Sequence, residues 1–137
     1  MTAKAFLDTN LWIYAYAKNP VEKHQTVERL INQSSHHIHI SAQVLGEIFN
    51  VLTKKKLTSQ ADAASIVSEI INDFTVLEIN ALSVTQAMAI NQRYGYTYWD
   101  SLILAAALLN DGAIVYSQDM QHNQLIDSQL RRLNPFL

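Results

Sequence analysis

Short apolar runs alternate along this chain with segments that repeat apolar residues every three or four positions. The runs predict buried strands, and the periodic segments predict amphipathic helices. Strands and helices that alternate in this way favour a parallel sheet flanked by helices on both faces. The three glycines and two prolines are also too few for an all-β fold full of tight turns. We therefore expect an α/β fold.

The same patterns predict the individual elements. Strands are expected at 3–7, 37–40, 74–79, 113–116 and 129–133. Helices are expected at 10–17, 59–71, 83–93 and about 99–110, with two more that begin near 21 and after 41. Ser41 is a candidate N-cap, and Gly95 is a candidate for the glycine that ends a helix. The helix at about 99–110 is apolar nearly all round, so we expect it to be sandwiched inside the protein.

Composition limits the class of protein. The 137 residues, 49% of them hydrophobic and 16% charged, describe a single domain, 1–137, with a packed core. The absence of cysteine excludes disulfides, thiolate metal sites and cysteine nucleophiles. The longest apolar run, at 102–109, is far below the ~20 residues that span a bilayer, so we expect no membrane partner. With no cysteine and no export signal, we expect a cytoplasmic protein.

Three aspartates are predicted at one edge of the sheet. Asp8 follows the first predicted strand, and Asp119 follows the strand at 113–116. Asp100 lies in the first turn of the most apolar helix. In open parallel sheets, ligands bind beyond the carboxyl ends of the strands, which favours a functional site here. Taken singly, Asp100 is also explained as an N-cap, and the other two as loop residues.

A fourth acid, Glu47, lies at the rim of the apolar face of the helix that follows Ser41. That face consists of Leu45, Ile48, Phe49 and Leu52. A carboxylate at such a rim either leans into a cleft or remains in solvent, and the sequence leaves both alternatives open.

A cluster of carboxylates is unfavourable without a cation. Two carboxylates ~4 Å apart repel each other by roughly 4 kcal/mol at an effective dielectric constant of about 20. A hard divalent ion such as Mg²⁺ or Mn²⁺ offsets this repulsion and activates water for attack on phosphorus. Asn10, two residues after Asp8, is a candidate to orient a ligand or a water. The pattern therefore indicates metal-assisted hydrolysis of a phosphodiester.

Four parts of the sequence together resemble the PIN-domain family, most closely the VapC-like toxins of bacterial toxin–antitoxin pairs. They are Leu7–Asn10, Glu47, Trp99–Ile103 and Tyr116–His122. The resemblance runs in order over essentially the whole chain. It implies a three-layer α/β/α sandwich with a parallel sheet of about five strands.

The resemblance also implies a Mg²⁺- or Mn²⁺-dependent endoribonuclease. Its acidic site would consist of Asp8, Glu47, Asp100 and Asp119. Asp8 and Asp100 would be the most direct metal ligands, with Asn10 and Ser117 as supporting residues. The implied partners are an RNA substrate, a second copy in a homodimer, and an antitoxin that blocks the site with a segment carrying a basic residue.

Two positions depart from the family pattern. Gln118 stands where a glutamate often precedes the last acid, which removes one negative charge beside the site. Asn123 stands where a glycine often follows the Gln-His pair. Because asparagine adopts a positive φ more readily than most residues, we expect this turn to persist.

Several polar and aromatic groups have both a structural and a functional interpretation. His37 and His39 fit a plain edge strand better than a zinc site, because no third ligand is evident. The basic runs 54–56 and 131–132 fit solvated charges, or contacts to RNA phosphates. The aromatic residues at 94–99 fit core or dimer packing, or stacking on bases.

Two other functions compete with the ribonuclease. A phosphatase with Asp8 as nucleophile is disfavoured, because Asn10 replaces the second aspartate of the usual Asp-x-Asp-x-Thr pattern. A non-catalytic module that binds RNA or protein on the same fold remains the main alternative.

Overall fold

The computed structural model describes residues 4–34, 37–119 and 122–137. Within these residues the chain alternates strands and helices as expected. In order, the elements are β1 (Lys4–Leu7), α1 (Thr9–Tyr16), α2 (Val21–Ser34), β2 (Ile38–Ser41), α3 (Ala42–Lys54), α4 (Gln60–Asp73), β3 (Thr75–Leu77), α5 (Ala81–Tyr94), α6 (Tyr98–Leu109), β4 (Gly112–Tyr116), β5 (Leu125–Ile126) and β6 (Leu130–Leu133).

The described strands form one sheet in the order β3-β2-β1-β4-β6-β5. Every neighbouring pair is parallel except β5 with β6, which is antiparallel. The predicted α/β fold with about five parallel strands is therefore confirmed. The additional strand β5 has two residues, too few for a hydrophobic pattern to indicate it.

The helices form two groups. Helices α1 to α4 contact one another, whereas α5 packs mainly on α6. The strand order explains this division, because the chain leaves β1 in one direction through β2 and β3 and then returns to the other side of β1 at β4. Right-handed crossovers in opposite directions place their helices on opposite faces of a sheet. The point where the order reverses lies between β1 and β4, where such folds form a crevice.

Local capping explains where the helices begin and end. The Ser41 hydroxyl accepts a hydrogen bond from the Val44 backbone N–H at 3.3 Å, which confirms it as the N-cap of α3. Gly95 ends α5 with a φ of +78°, as expected for a helix-terminating glycine. Thr97, and not Asp100, is the N-cap of α6, and its hydroxyl accepts from the Asp100 N–H at 3.2 Å. The capping explanation of Asp100 is therefore wrong.

Three predictions about burial or position in the sheet need correction. Helix α6 is buried over Ser101–Ala107, but Trp99 near its start is 63% exposed and Leu109 at its end is 38% exposed. Phe49 in α3 is also exposed, since α3 packs only along the face that carries Ile48 and Leu52. Strand β2 is not an edge strand, because β3 pairs with its outer side. Among the described helices, none has the length and apolar character needed to cross a membrane.

Candidate functional site

Asp8 occupies the centre of the crevice. It directly follows β1 and is the N-cap of α1, accepting from the Thr9 backbone N–H at 2.6 Å. The Ser117 hydroxyl, beyond β4, donates to Asp8 Oδ2 at 3.0 Å. Asp8 is only 8% exposed, and this burial raises its pKa to about 6. The hydrogen bonds from Ser117 and Thr9 oppose the rise, while the negative charges of Asp100 and Glu47 add to it.

Asp100 faces the same crevice from the first turn of α6. Burial raises its pKa, and the negative charges of Asp119 and Glu47 raise it further. The hydrogen bond to Thr97 acts in the opposite direction. The carboxylates of Asp8 and Asp100 therefore each lie within the electrostatic influence of other predicted acids.

Glu47 leans towards the crevice and not into solvent. Its Oε2 accepts from the Thr9 hydroxyl at 2.5 Å, and its Oε1 accepts from the Gln43 side-chain amide at 2.6 Å. The same Gln43 amide lies 3.3 Å from the Trp99 carbonyl oxygen, which joins α3 to α6. These contacts resolve the two alternatives for Glu47 in favour of the cleft.

Asp119 is the exposed member of the group. The Asn10 side-chain amide donates to Asp119 Oδ2 at 3.0 Å. The Asp119 backbone N–H donates to the Ser117 hydroxyl at 3.3 Å. Ser117 therefore joins Asp8 to Asp119, and both predicted supporting residues contact an acid. The next two positions of the family-like segment, 120–121, lie outside the described residues.

The donor set suits a hard divalent cation. Among the described residues, no three His, Asp or Glu side chains form a ready cage for a metal. Mg²⁺ does not require such a cage, because it is usually held by one or two carboxylates and keeps several waters. Asp8 and Asp100 supply carboxylate oxygens whose proton affinity is raised by burial and by neighbouring negative charge. A cation between them would relieve both effects.

Three contacts in the site were not predicted from the sequence. Thr9 and Gln43 hold the two oxygens of Glu47. Gln43 lies four residues before Glu47 on α3, a spacing that places two side chains on one helix face and could have indicated the contact. Lys23 donates to Gln118 Oε1 at 2.9 Å, from an element distant in sequence.

The remaining sequence predictions near the site have mixed outcomes. Asn123 has a φ of +66°, so the expected turn is present with asparagine in place of glycine. Arg132 is not a solvated charge but a buried residue of β6, with its guanidinium 4.5 Å from the centre of the Tyr96 ring. Burial lowers its pKa to about 10, although the negative charge of Asp8 acts to raise it.

Comparisons with known proteins agree with this architecture. A family model described as the PIN domain matches residues 5–126. A search of curated protein sequences returned no significant match.

Several solved structures share the fold. VapC20 of Mycobacterium tuberculosis, described as a sarcin-ricin loop cleaving toxin, has a TM-score of 0.71 and 22% identity, over 85% of this chain and 90% of that one. A toxin–antitoxin complex from Klebsiella pneumoniae has a TM-score of 0.73 and 18% identity, over 96% of this chain and 98% of that one. The DNA-bound VapBC of Salmonella typhimurium has a TM-score of 0.70 and 22% identity, over 96% of this chain and 97% of that one.

Proposed function

Because the chain belongs to the PIN-domain family, we propose that it is a metal-dependent endoribonuclease and the toxin of a toxin–antitoxin pair. One observation carries the proposal. Four acids gather at the strand ends where such folds bind ligands, with Thr9 between Asp8 and Glu47 and Ser117 between Asp8 and Asp119. Burial raises the pKa of Asp8 and of Asp100, and nearby negative charges add to both shifts. A folded protein retains so unfavourable a cluster where a cation is to be bound.

In this proposal Mg²⁺ or Mn²⁺ would be held by Asp8 and Asp100, with Glu47 and Asp119 completing the site. When bound, the ion supplies positive charge that stabilises the phosphodiester in its transition state and lowers the pKa of water. Ser117 and the Thr9 N–H fix the orientation of the Asp8 carboxylate. Thr9 and Gln43 fix Glu47, whose carboxylate is then available to accept a proton at the rim of the crevice.

The proposed partners follow from the solved structures with the same fold. Two of them are described as toxin–antitoxin or VapBC complexes. On that ground we propose a cognate antitoxin for this chain. We propose a homodimer separately, because the resemblance to the family implies one. A basic residue from an antitoxin would neutralise the same carboxylates that hold the cation, so metal and antitoxin would compete for one site.

The test is cleavage of a mixed RNA pool by the purified protein in Mg²⁺ or Mn²⁺, with EDTA and Asp8→Asn as controls. Asp111→Asn is a matched control, because the same substitution lies on an exposed residue just before β4, at the opposite edge of the sheet. Asp111 has a φ of +58°, a conformation that asparagine tolerates well.

We expect cleavage that depends on the metal, is lost in Asp8→Asn and persists in Asp111→Asn. Cleavage that persists in EDTA and in Asp8→Asn would contradict the proposal. Metal-loaded protein that binds RNA without cutting it would favour the non-catalytic module instead.

A further inference from the structure

A surface pocket of about 440 Å³ adjoins the acidic crevice on the side of α3 and α6. It is lined by Gln43, Gly46, Glu47, Asn50 and Trp99. Glu47 belongs to both the pocket and the acidic group, and Trp99 directly precedes Asp100. Anything that occupies this pocket is therefore a direct neighbour of the proposed reaction centre.

Trp99 forms an exposed aromatic wall of the pocket. Its side chain is 63% exposed, whereas Trp12, the other tryptophan, is fully buried in the core. The indole of Trp99 contacts the Tyr98 ring edge-on, with 5.1 Å between ring centroids. Its main-chain oxygen accepts from the Gln43 side chain, which places the Trp99 backbone beside α3.

Gly46 provides the open space in front of this wall. A glycine inside a helix destabilises it by roughly 0.5–1 kcal/mol relative to alanine. A Cβ at Gly46 would meet nothing within 4 Å, so neither packing nor a close backbone contact requires glycine here. A methyl group therefore has room at this position, whereas a longer side chain would enter the pocket.

The other lining residues have polar side chains, but most of the exposed lining surface is apolar, which suits a ligand with a flat apolar face and a polar edge. Gln43, Glu47 and Asn50 recur at spacings of four and three residues, on one face of α3. The amide nitrogen of Gln43 is already engaged by Glu47 and by the Trp99 carbonyl oxygen. The exposed side chain of Asn50 is the lining amide that a bound molecule can reach.

A nucleobase matches these features together. Single-stranded RNA is recognised by bases that stack on aromatic side chains and form hydrogen bonds along their edges. The polar face of α3 continues from Asn50 to Lys54, where three exposed lysines follow one another and can contact phosphates. An apolar protein side chain would fill the same volume but cover the amide of Asn50 without giving it a partner.

We propose that the pocket of Gln43, Gly46, Asn50 and Trp99 holds one unpaired base of the RNA, stacked on the Trp99 indole, beside the phosphodiester at the acidic site. The inference rests on the proposed function and identifies a specificity determinant for it. The edge of the base would face the amide of Asn50, which can both donate and accept a hydrogen bond.

The test measures the affinity of the full-length protein for short single-stranded RNA in EDTA, so that no cleavage occurs. Two probes are compared, an ordinary oligonucleotide and an abasic one that keeps the ribose-phosphate chain but lacks bases. We expect Trp99→Ala to weaken binding of the ordinary probe by roughly 5- to 150-fold, the value of one base–aromatic stack. The abasic probe should bind Trp99→Ala and wild type alike. Leu82→Ala, at a similarly exposed apolar residue of α5, is the control and should change neither affinity.

A second pair of variants tests the pocket without removing the aromatic ring. Gly46→Leu should fill the pocket and weaken binding of the ordinary probe as Trp99→Ala does. Gly46→Ala should leave this binding near the wild-type level. Tryptophan fluorescence gives an independent signal, since only Trp99 is accessible to a stacked base. RNA should quench the wild-type emission, and this response should be absent in Trp99→Phe, where buried Trp12 is the remaining fluorophore.

The outcomes separate this inference from the proposed function. If Trp99→Ala and Gly46→Leu bind the ordinary probe as well as wild type does, the base pocket is refuted while metal-dependent cleavage stands. If Trp99→Ala instead changes the oligomeric state in sedimentation and leaves RNA affinity unchanged, the pocket is a protein interface. If RNA binds through Trp99 but is never cut, the pocket stands and the nuclease proposal fails. A wild type that neither binds nor cuts RNA refutes both.

Discussion

Asp8 and Asp119 both follow strands of the same parallel pair, β1 and β4, yet their environments differ. Asp8 comes directly after its strand, is 8% exposed, and accepts hydrogen bonds from Thr9 and Ser117. Asp119 comes three residues after its strand, is exposed, and accepts from Asn10. The difference teaches that one acid is held rigidly at a cost in stability, while the other is free to adjust to a ligand.

The largest expected effect of this difference is on activity. We expect Asp8→Asn to lower the metal-dependent cleavage rate by roughly 100-fold or more, because it removes a fixed anionic ligand. Asp119→Asn should lower it by roughly tenfold, because water can replace an exposed carboxylate around Mg²⁺. Initial rates at saturating Mg²⁺ measure both. Equal losses of rate, or a larger loss for Asp119→Asn, would show that burial does not determine how much each acid contributes to cleavage.

The second effect is on stability and its pH dependence. The pKa of Asp8 lies at about 6 in the folded protein against an ordinary value of 3.8, so the folded state retains a proton that the unfolded state releases. Stability should therefore fall as pH rises through this interval, by an amount of order 3 kcal/mol for two pH units. Asp8→Asn carries no charge and should be more stable than wild type at about pH 7, but not at about pH 4.

Urea unfolding in EDTA at these two pH values measures the effect, and Asp119→Asn is the matched control. Because Asp119 is exposed, its substitution should change the free energy of unfolding by less than about 0.5 kcal/mol at either pH. An Asp8→Asn protein that is less stable than wild type at about pH 7 would mean that the hydrogen bonds of Asp8 outweigh its burial.

The positions of Asp8 and Asp119 were predictable because they depend on topology. Alternating strands and helices indicate a parallel sheet, and the carboxyl ends of its strands meet at one edge. Glu47 and Asp100 lie on helices, where a wheel gives the direction of a side chain but not what faces it. Asp100 was expected at the same edge of the sheet, but the pattern left Glu47 between the cleft and solvent, and the resemblance to a family placed it in the site.

The degree of burial was not predictable from the sequence. Phe49 belongs to an apolar helical face yet is exposed, and Arg132 is charged yet buried, because each depends on which elements pack around it. The two-residue strand β5 gives no periodic signal at all. The same limit applies to Asp8, whose pKa is raised by burial against the opposing effect of its bond to Ser117, 109 residues away in the chain.

The third prediction concerns that bond. The Ser117 hydroxyl lowers the pKa of Asp8, so Ser117→Ala should raise this pKa further above its value of about 6. The acidic limb of the pH–rate profile should move to higher pH, with a loss of roughly tenfold in rate near pH 6. Ser117→Thr keeps a hydroxyl and is the control. An acidic limb that stays at the same pH in Ser117→Ala would show that protonation of Asp8 does not determine the pH–rate profile.

The smallest loss of rate should come from substitution of Asn10, which contacts the exposed acid, Asp119. Asn10→Ala removes the amide that holds Asp119 Oδ2, so the carboxylate gains rotational freedom and the rate should fall only about three- to tenfold. Stability should not fall, because Asn10 lies in the first turn of α1 and alanine favours a helix more than asparagine does. Saturating Mg²⁺ should restore part of the rate, since a bound cation can orient the carboxylate in place of the amide. A loss in Asn10→Ala as large as that of Asp8→Asn, with no recovery at high Mg²⁺, would mean that Asp119 is held as rigidly as Asp8 and that its exposure is not a measure of its freedom.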